Sequence, residues 1–295
     1  MGFGSYSSDS RSVRATSLGY TTKSAHEIFK SRSINNAMDP NGVTIRESRD
    51  SKEHPNALPI VIALDLTGSM GSVPLKLVRG DITTIVQNII DNGQPDPQIL
   101  FLGVGDHECD DAPLQVGQFE SSDELLDNWL TTVYLEGGGG GNSGESYLLA
   151  WYFAGYHTVT DSFEKRNEKG FLFTIGDEPT LKSIPKHTLK EIMGDAGQHK
   201  EFSAAELLDK ARETYNVYHL HIKETGAGSR QSTVDGWKQL MGEENLLVIQ
   251  RHEDVANTIA KIVTEKTEKV SKPKKETKSK KEEVEVEDAP TEIIL

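Results

Sequence analysis

Asp65, Thr67 and Ser69 stand at alternate positions in the run Asp65-Leu66-Thr67-Gly68-Ser69, a carboxylate followed by two hydroxyls. In a loop that leaves a strand, alternate side chains can turn to one side and converge on a point. Hard oxygen donors that include a carboxylate suit Mg2+ or Mn2+, and a small octahedral ion held this way keeps positions for water or a ligand. Gly68 and Gly71 leave the loop free to curl tightly. Asp106 and Asp177 also follow apolar runs, just as Asp65 does. In open α/β sheets the ligand crevice lies at the carboxyl ends of the strands, so three acids there make a negative field that needs a counter-ion. Taken alone, Asp65 reads better as a cap for the next helix, as do Ser69 and Ser72; the strand context and Asp177 together favour the metal.

Other chemistry-bearing groups carry less. The run Asp106-His107-Glu108-Cys109-Asp110-Asp111 has the residue types of a metal or acid–base site. It is too crowded for all six side chains to converge, and a solvated acidic loop accounts for it better than a second metal site or a partner contact. Asn142 and Glu145 have the spacing of a capping box at a helix start, and Asn142 can equally be a metal ligand. His219 and His221 share one face of a strand and read as structural. No Lys-Ser or Lys-Thr follows the five glycines from Gly137 to Gly141, so they are not a phosphate-binding loop. No arrangement of His and acid marks Cys109 as a nucleophile.

The elements that must position these groups alternate. Apolar runs at 58–64, 99–104 and 171–175 have the Ile, Val, Leu and Phe content of strands buried on both faces. Strands are also expected at 217–222 and 246–249, with a short edge strand at 115–119. Apolar spacing predicts helices from about 74 to 91, over 122–134, 143–156, 187–193, 203–214 and 231–241, and near 252–268. Pro74 suits a first helical turn, and Asn92-Gly93 ends that helix. Strands alternating with helices give an α/β class, a doubly wound and mostly parallel six-stranded sheet with helices on both faces.

The chain has 295 residues and a net charge of −14. Residues 57–260 hold 15 basic and 31 acidic side chains, so the whole excess falls on the expected folded part. Such a surface repels nucleic acid and anionic lipid and attracts cations or basic partners. A polar N-terminal extension (1–56), one domain (57–268) and a charged tail (269–295) are expected, the tail disordered over 272–288. Phe3, Tyr6, Tyr20, Ile28 and Phe29 are enough for the extension to dock on the domain without a core of its own. Residues 46–50 have the charge to lie against its acidic face. The one cysteine excludes an intrachain disulfide. With no signal-peptide pattern and no apolar run near the ~20 residues of a span, the cytoplasm of a cell or of a phage-infected host is the expected location.

The run Ile60-Val61-Ile62-Ala63-Leu64-Asp65-Leu66-Thr67-Gly68-Ser69-Met70-Gly71 resembles the first motif of von Willebrand factor type A (vWA) domains, D-x-S-x-S, with Thr67 keeping the hydroxyl of the first serine. The resemblance spans about 57–265 and implies a vWA/Rossmann-like fold in the strand order 3-2-1-4-5-6. It also implies a metal-ion-dependent adhesion site in which Asp177, after the fourth strand, is a second acidic ligand. The threonine usual in the third motif aligns with Gly141, which implies that Asn142 or Ser143 supplies that oxygen, or that the metal is reached there through water. The implied role is to bind a protein partner whose Asp or Glu completes the metal shell, without catalysis. In intracellular bacterial and phage-type relatives, a MoxR-type AAA+ ATPase is the implied companion. Two other roles fit the residues: a metal hydrolase using Asp65 and Asp177 with His107 or Glu108 as base, and a scaffold whose site has decayed.

Overall fold

The computed structural model describes residues 4–94, 96–136 and 142–271. The glycine run, with the Gly141 alignment, and the tail from 272 onward lie outside the described residues.

Six strands form the central sheet: β1 (Leu58–Asp65), β2 (Pro97–Val104), β3 (Leu114–Glu120), β4 (Gly170–Gly176), β5 (Tyr215–Ile222) and β6 (Leu246–Ile249). Their order is β6-β5-β4-β1-β2-β3. All pairs are parallel except β2 with the edge strand β3. The expected order 3-2-1-4-5-6 is therefore the observed one. Between β1 and β4 the chain reverses its direction of winding, and the crevice above those two strands is the place where such sheets bind ligands.

The period of two along β1 divides the core. Ile60, Ile62 and Leu64 pack with Ile85, Val86 and Ile89 of the helix Ile82–Asp91 and with Ile259 and Val263 of the helix Val255–Ser271. Val61 and Ala63 face the other way, towards Leu148 and Trp151 of Tyr147–Tyr156, Leu207 and Leu208 of Ala204–Thr214, and Trp237 of Gln231–Met241. Helices thus cover both faces. Tyr147–Tyr156 is apolar all round and lies between the sheet and Ala204–Thr214, which explains why eight consecutive residues of it are buried. The helix expected from 143 begins at Tyr147.

Residues 4–56, expected only to dock on the domain, supply part of its core. Ala15, Tyr20, Ile28, Phe29 and Met38 are buried in the same cluster as Ile60 and Ile62. The helix Ser8–Leu18 opens with Ser7 accepting from Ser10 N and closes on Gly19 at φ 72°. Met38 O accepts from Val116 N at 2.8 Å, which covers the outer edge of β3. Arg46–Ser48 pairs in parallel with Thr158–Thr160. Residues 46–50 do not lie on the acidic site face. Arg49 reaches Asp161 and Glu164, and Arg166 joins Asp50 to Ala57 O, which places this segment at the amino ends of the strands. Those local acids lie closer than the crevice and take its charge.

Candidate functional site

Asp65 is the last residue of β1, and the register with β2 and β4 fixes it at the carboxyl edge of the sheet. Its side chain is fully buried. Oδ1 accepts from Thr67 N at 2.9 Å and from Thr67 Oγ1 at 2.6 Å. Thr67 Oγ1 lies 3.2 Å from Ser69 Oγ, which donates to Asp177 Oδ1 at 2.8 Å. Asp177, just beyond β4, is also fully buried. The sheet therefore brings four of the expected residues, Asp65, Thr67, Ser69 and Asp177, into one continuous chain of oxygens. Of the two loop glycines, Gly71 has a positive φ of 53°, whereas Gly68 needs none because it opens the short turn Gly68–Met70.

Of the two expectations for Asn142, the capping role is not met. The residue makes no capping box with Glu145, because the helix starts later, and its amide donates to Glu108 Oε2 at 2.8 Å. The side chain that comes to the site from this loop is Glu145. Its main chain is pinned to the segment after β4 by Glu145 N to Pro179 O and Leu181 N to Glu145 O, both 2.9 Å. The residue is 8% exposed, and its buried Oε2 has no hydrogen-bond partner.

Tyr147 is the second residue that the sequence did not reveal. Its hydroxyl donates to Asp65 Oδ2 at 2.6 Å. To reach Asp65 the ring passes directly over β4 at Gly176, where a Cβ would stand 1.7 Å from Tyr147 Oη. Gly176 is thus required by close approach, since its φ is not in the left-handed region. Tyr147 also meets His219 edge-on, and His219 stacks on Trp237 with ring centroids 3.6 Å apart. His219 bonds Thr174 Oγ1 and His221 bonds Gly228 O, so the strand pair read as structural is a buried packing layer under the site. Burial holds both imidazoles below their ordinary range.

Electrostatically the site is a set of buried acids. Burial pushes the Asp65 carboxyl up to about 7, with the Asp177 charge adding, against the hydrogen bonds from Thr67 and Tyr147. Burial, then the charges of Asp65, Asp110 and Asp106, pushes Glu145 up to about 9. Burial beside Asp65 also holds the Tyr147 phenol well above its ordinary range. Among the described residues, Asp65, Glu145 and Asp177 have no ion pair with Lys or Arg; Arg230 pairs with Glu178 instead.

The acidic run after β2 shapes its own loop. Asp106 Oδ1 accepts from Glu108 N, Asp110 Oδ2 accepts from Asp106 N, and His107 bonds Ser146 Oγ.

These residues fit a divalent cation. Asp177 Oδ2 is buried without a partner beside two hydroxyls and a second buried carboxylate. An orphaned buried carboxylate oxygen is costly unless a cation or donor meets it. Among the described residues, no three His, Cys, Asp or Glu side chains are grouped to hold a metal. A cation at Asp65 would therefore draw on the Thr67 and Ser69 hydroxyls, as hard-ion sites do.

No family model matches the chain, and no curated protein matches it in sequence. Among solved structures, it is similar to the pilus adhesin SpaC of Lactobacillus rhamnosus GG in its open conformation, at 9% identity and a TM-score of 0.48 over 74% of this chain. The match spans about a third of that adhesin, 31% of its chain. It is similar to the vWF domain of the type V pili tip protein Mfa5 from Porphyromonas gingivalis, at 8% identity and a TM-score of 0.44, covering 74% of this chain and 97% of that one. It is also similar to the SpRpn10 VWA domain, at 12% identity and a TM-score of 0.41, covering 68% and 95%. The vWA/Rossmann-like assignment of the fold rests on this chain's own strand order and helix layers.

Proposed function

We propose that this chain is a metal-dependent protein-interaction module that holds Mg2+ or Mn2+ at Asp65, Thr67, Ser69 and Asp177 and uses it to bind a carboxylate of a protein partner. The observation that carries this reading is the row of closely spaced oxygens from Asp65 through Thr67 and Ser69 to Asp177, across the switch point between β1 and β4, in which each hydroxyl gives its one proton to a carboxylate. A bound cation would supply an electrophilic centre whose shell a partner's Asp or Glu completes. The buried acids around it disfavour free anions that bring no better contact. The Asn142 amide is bonded to Glu108, and Glu145 lies beside Thr67 and Asp65.

The reading assigns no catalysis. A hydrolase would need His107 or Glu108 as base, and these are engaged with Ser146 and Asn142. A partner of the MoxR-type AAA+ class and a cytoplasmic location belong to the same reading, on the vWA resemblance. No helix among the described residues is long and apolar enough to cross a membrane.

The test is calorimetric titration of Mg2+ and Mn2+ into the full chain and into Asp65→Ala. Saturable binding in the first and none in the second supports the site. Equal heats in both would remove it, and partner capture that persists in EDTA would leave a scaffold.

A further inference from the structure

The chain just after Ser69 is irregular. Val73–Lys76 makes one helical turn, Leu77–Asp81 winds as a wide π turn, and Ile82–Asp91 continues as an α-helix. A widened turn accommodates an extra residue and leaves a main-chain carbonyl short of its amide partner, and such turns recur beside functional sites. Here donors arrive from outside the helix. Arg11, on the helix Ser8–Leu18, is 3% exposed. One of its terminal nitrogens donates to Val78 O, the other to Thr83 Oγ1 at 2.5 Å, and Nε donates to Asp127 Oδ1 at 2.9 Å. In the opposite direction, Arg79 of the π turn donates to Tyr20 O at 2.9 Å and to Lys23 O at 2.7 Å. Two guanidinium groups thus cross-link the wide turn to residues 11–23.

The winding of this turn bears on the loop before it. Ile85, Val86 and Ile89 fix the helix beyond the turn in the core. Closing a π turn into an α turn expels one residue, which changes the chain upstream by about 100° of rotation and about 1.5 Å of rise. Ser69 lies upstream, and its 2.8 Å bond to Asp177 does not survive a movement of that size. We propose that residues 7–23 act as a strap on the π turn and that Arg11 is a positioning residue which, through Val78 O, holds Thr67 and Ser69 in register with Asp177. The strap stands on its own geometry; only its consequence for metal affinity rests on the function proposed above.

The test uses the full chain, with Arg11→Lys and Arg11→Met beside Arg14→Ala. Arg14 pairs with Asp123 and Asp127 and, among the described residues, makes no hydrogen bond or ion pair to the π turn. Amide hydrogen exchange is read first, in EDTA, and then Mg2+ affinity by calorimetry after the EDTA has been removed. The expected result is exchange at least tenfold faster across residues 66–83 in both Arg11 variants, with β1 and β4 unchanged and Arg14→Ala like the parent. Mg2+ affinity should fall at least threefold in the Arg11 variants alone. Unchanged exchange at 66–83 overturns the strap, as does an equal rise in Arg14→Ala or a rise throughout the sheet. Faster exchange with unaltered affinity overturns the positioning role. If the parent chain binds no Mg2+, the proposed function fails while the exchange data still decide the strap.

Discussion

In EDTA, Asp65→Asn should make the protein more stable than its parent at pH 8 and leave it nearly unchanged at pH 4. In the folded chain Asp65 keeps its proton up to about pH 7, whereas its ordinary value is 3.8. Between those two values the folded state binds more protons than the unfolded one. Stability from this group is therefore present at low pH and lost as pH rises through the window. The interval from 3.8 to about 7 corresponds to about 4 kcal/mol. Asparagine removes the charge but keeps an oxygen for the two bonds from Thr67, and its amide can donate to a reoriented Tyr147 hydroxyl. Glu145 shares the sign: Asp65 helps to raise its pKa, so the substitution relieves it as well. Urea unfolding at intervals from pH 4 to 8 measures the gap, which should open progressively and approach several kcal/mol. Parallel profiles for the two proteins would refute the claim that burial without a cation penalises Asp65. At pH 8, Mg2+ should raise the midpoint of the parent and leave that of Asp65→Asn in place.

Gly176→Ala should cost about 3 kcal/mol or prevent folding, because the new methyl would meet the buried Tyr147 ring, whose Cζ lies 2.5 Å from it. Its thermal midpoint, or recovery in the soluble fraction, measures this, and a midpoint equal to the parent's would contradict the packing described. Met38→Ala should cost about 2–4 kcal/mol through the cavity it leaves, while Val13→Ala, at a position 71% exposed, should stay within about 0.5 kcal/mol. A silent Met38→Ala in urea unfolding would mean that residues 4–56 do not share the core.

The sequence by itself determined the strands, the α/β class and the principal acids. A strand buried on both faces must be a short apolar run, and the residue that ends it must stand at the sheet edge; Asp65 and Asp177 were legible for that reason. Strand order followed from the resemblance of the first motif and matches the sheet. Local sequence could not place Glu145, Tyr147 or Arg11. Glu145 had the spacing of a helix cap, and only the delayed helix start, with its main chain pinned beside Pro179, turns it into the site. Tyr147 reads as one more apolar residue in a buried helix until Gly176 opens the gap through which its hydroxyl meets Asp65. Arg11 sits in a polar segment whose composition argues against a core. Its burial is made favourable by Asp127 and Val78, far away in the chain. Periodicity and composition report what a segment does to its own backbone and to water. The partner that satisfies a buried charge or fills a missing side chain is chosen by packing across the fold, and that choice leaves no mark within any one segment.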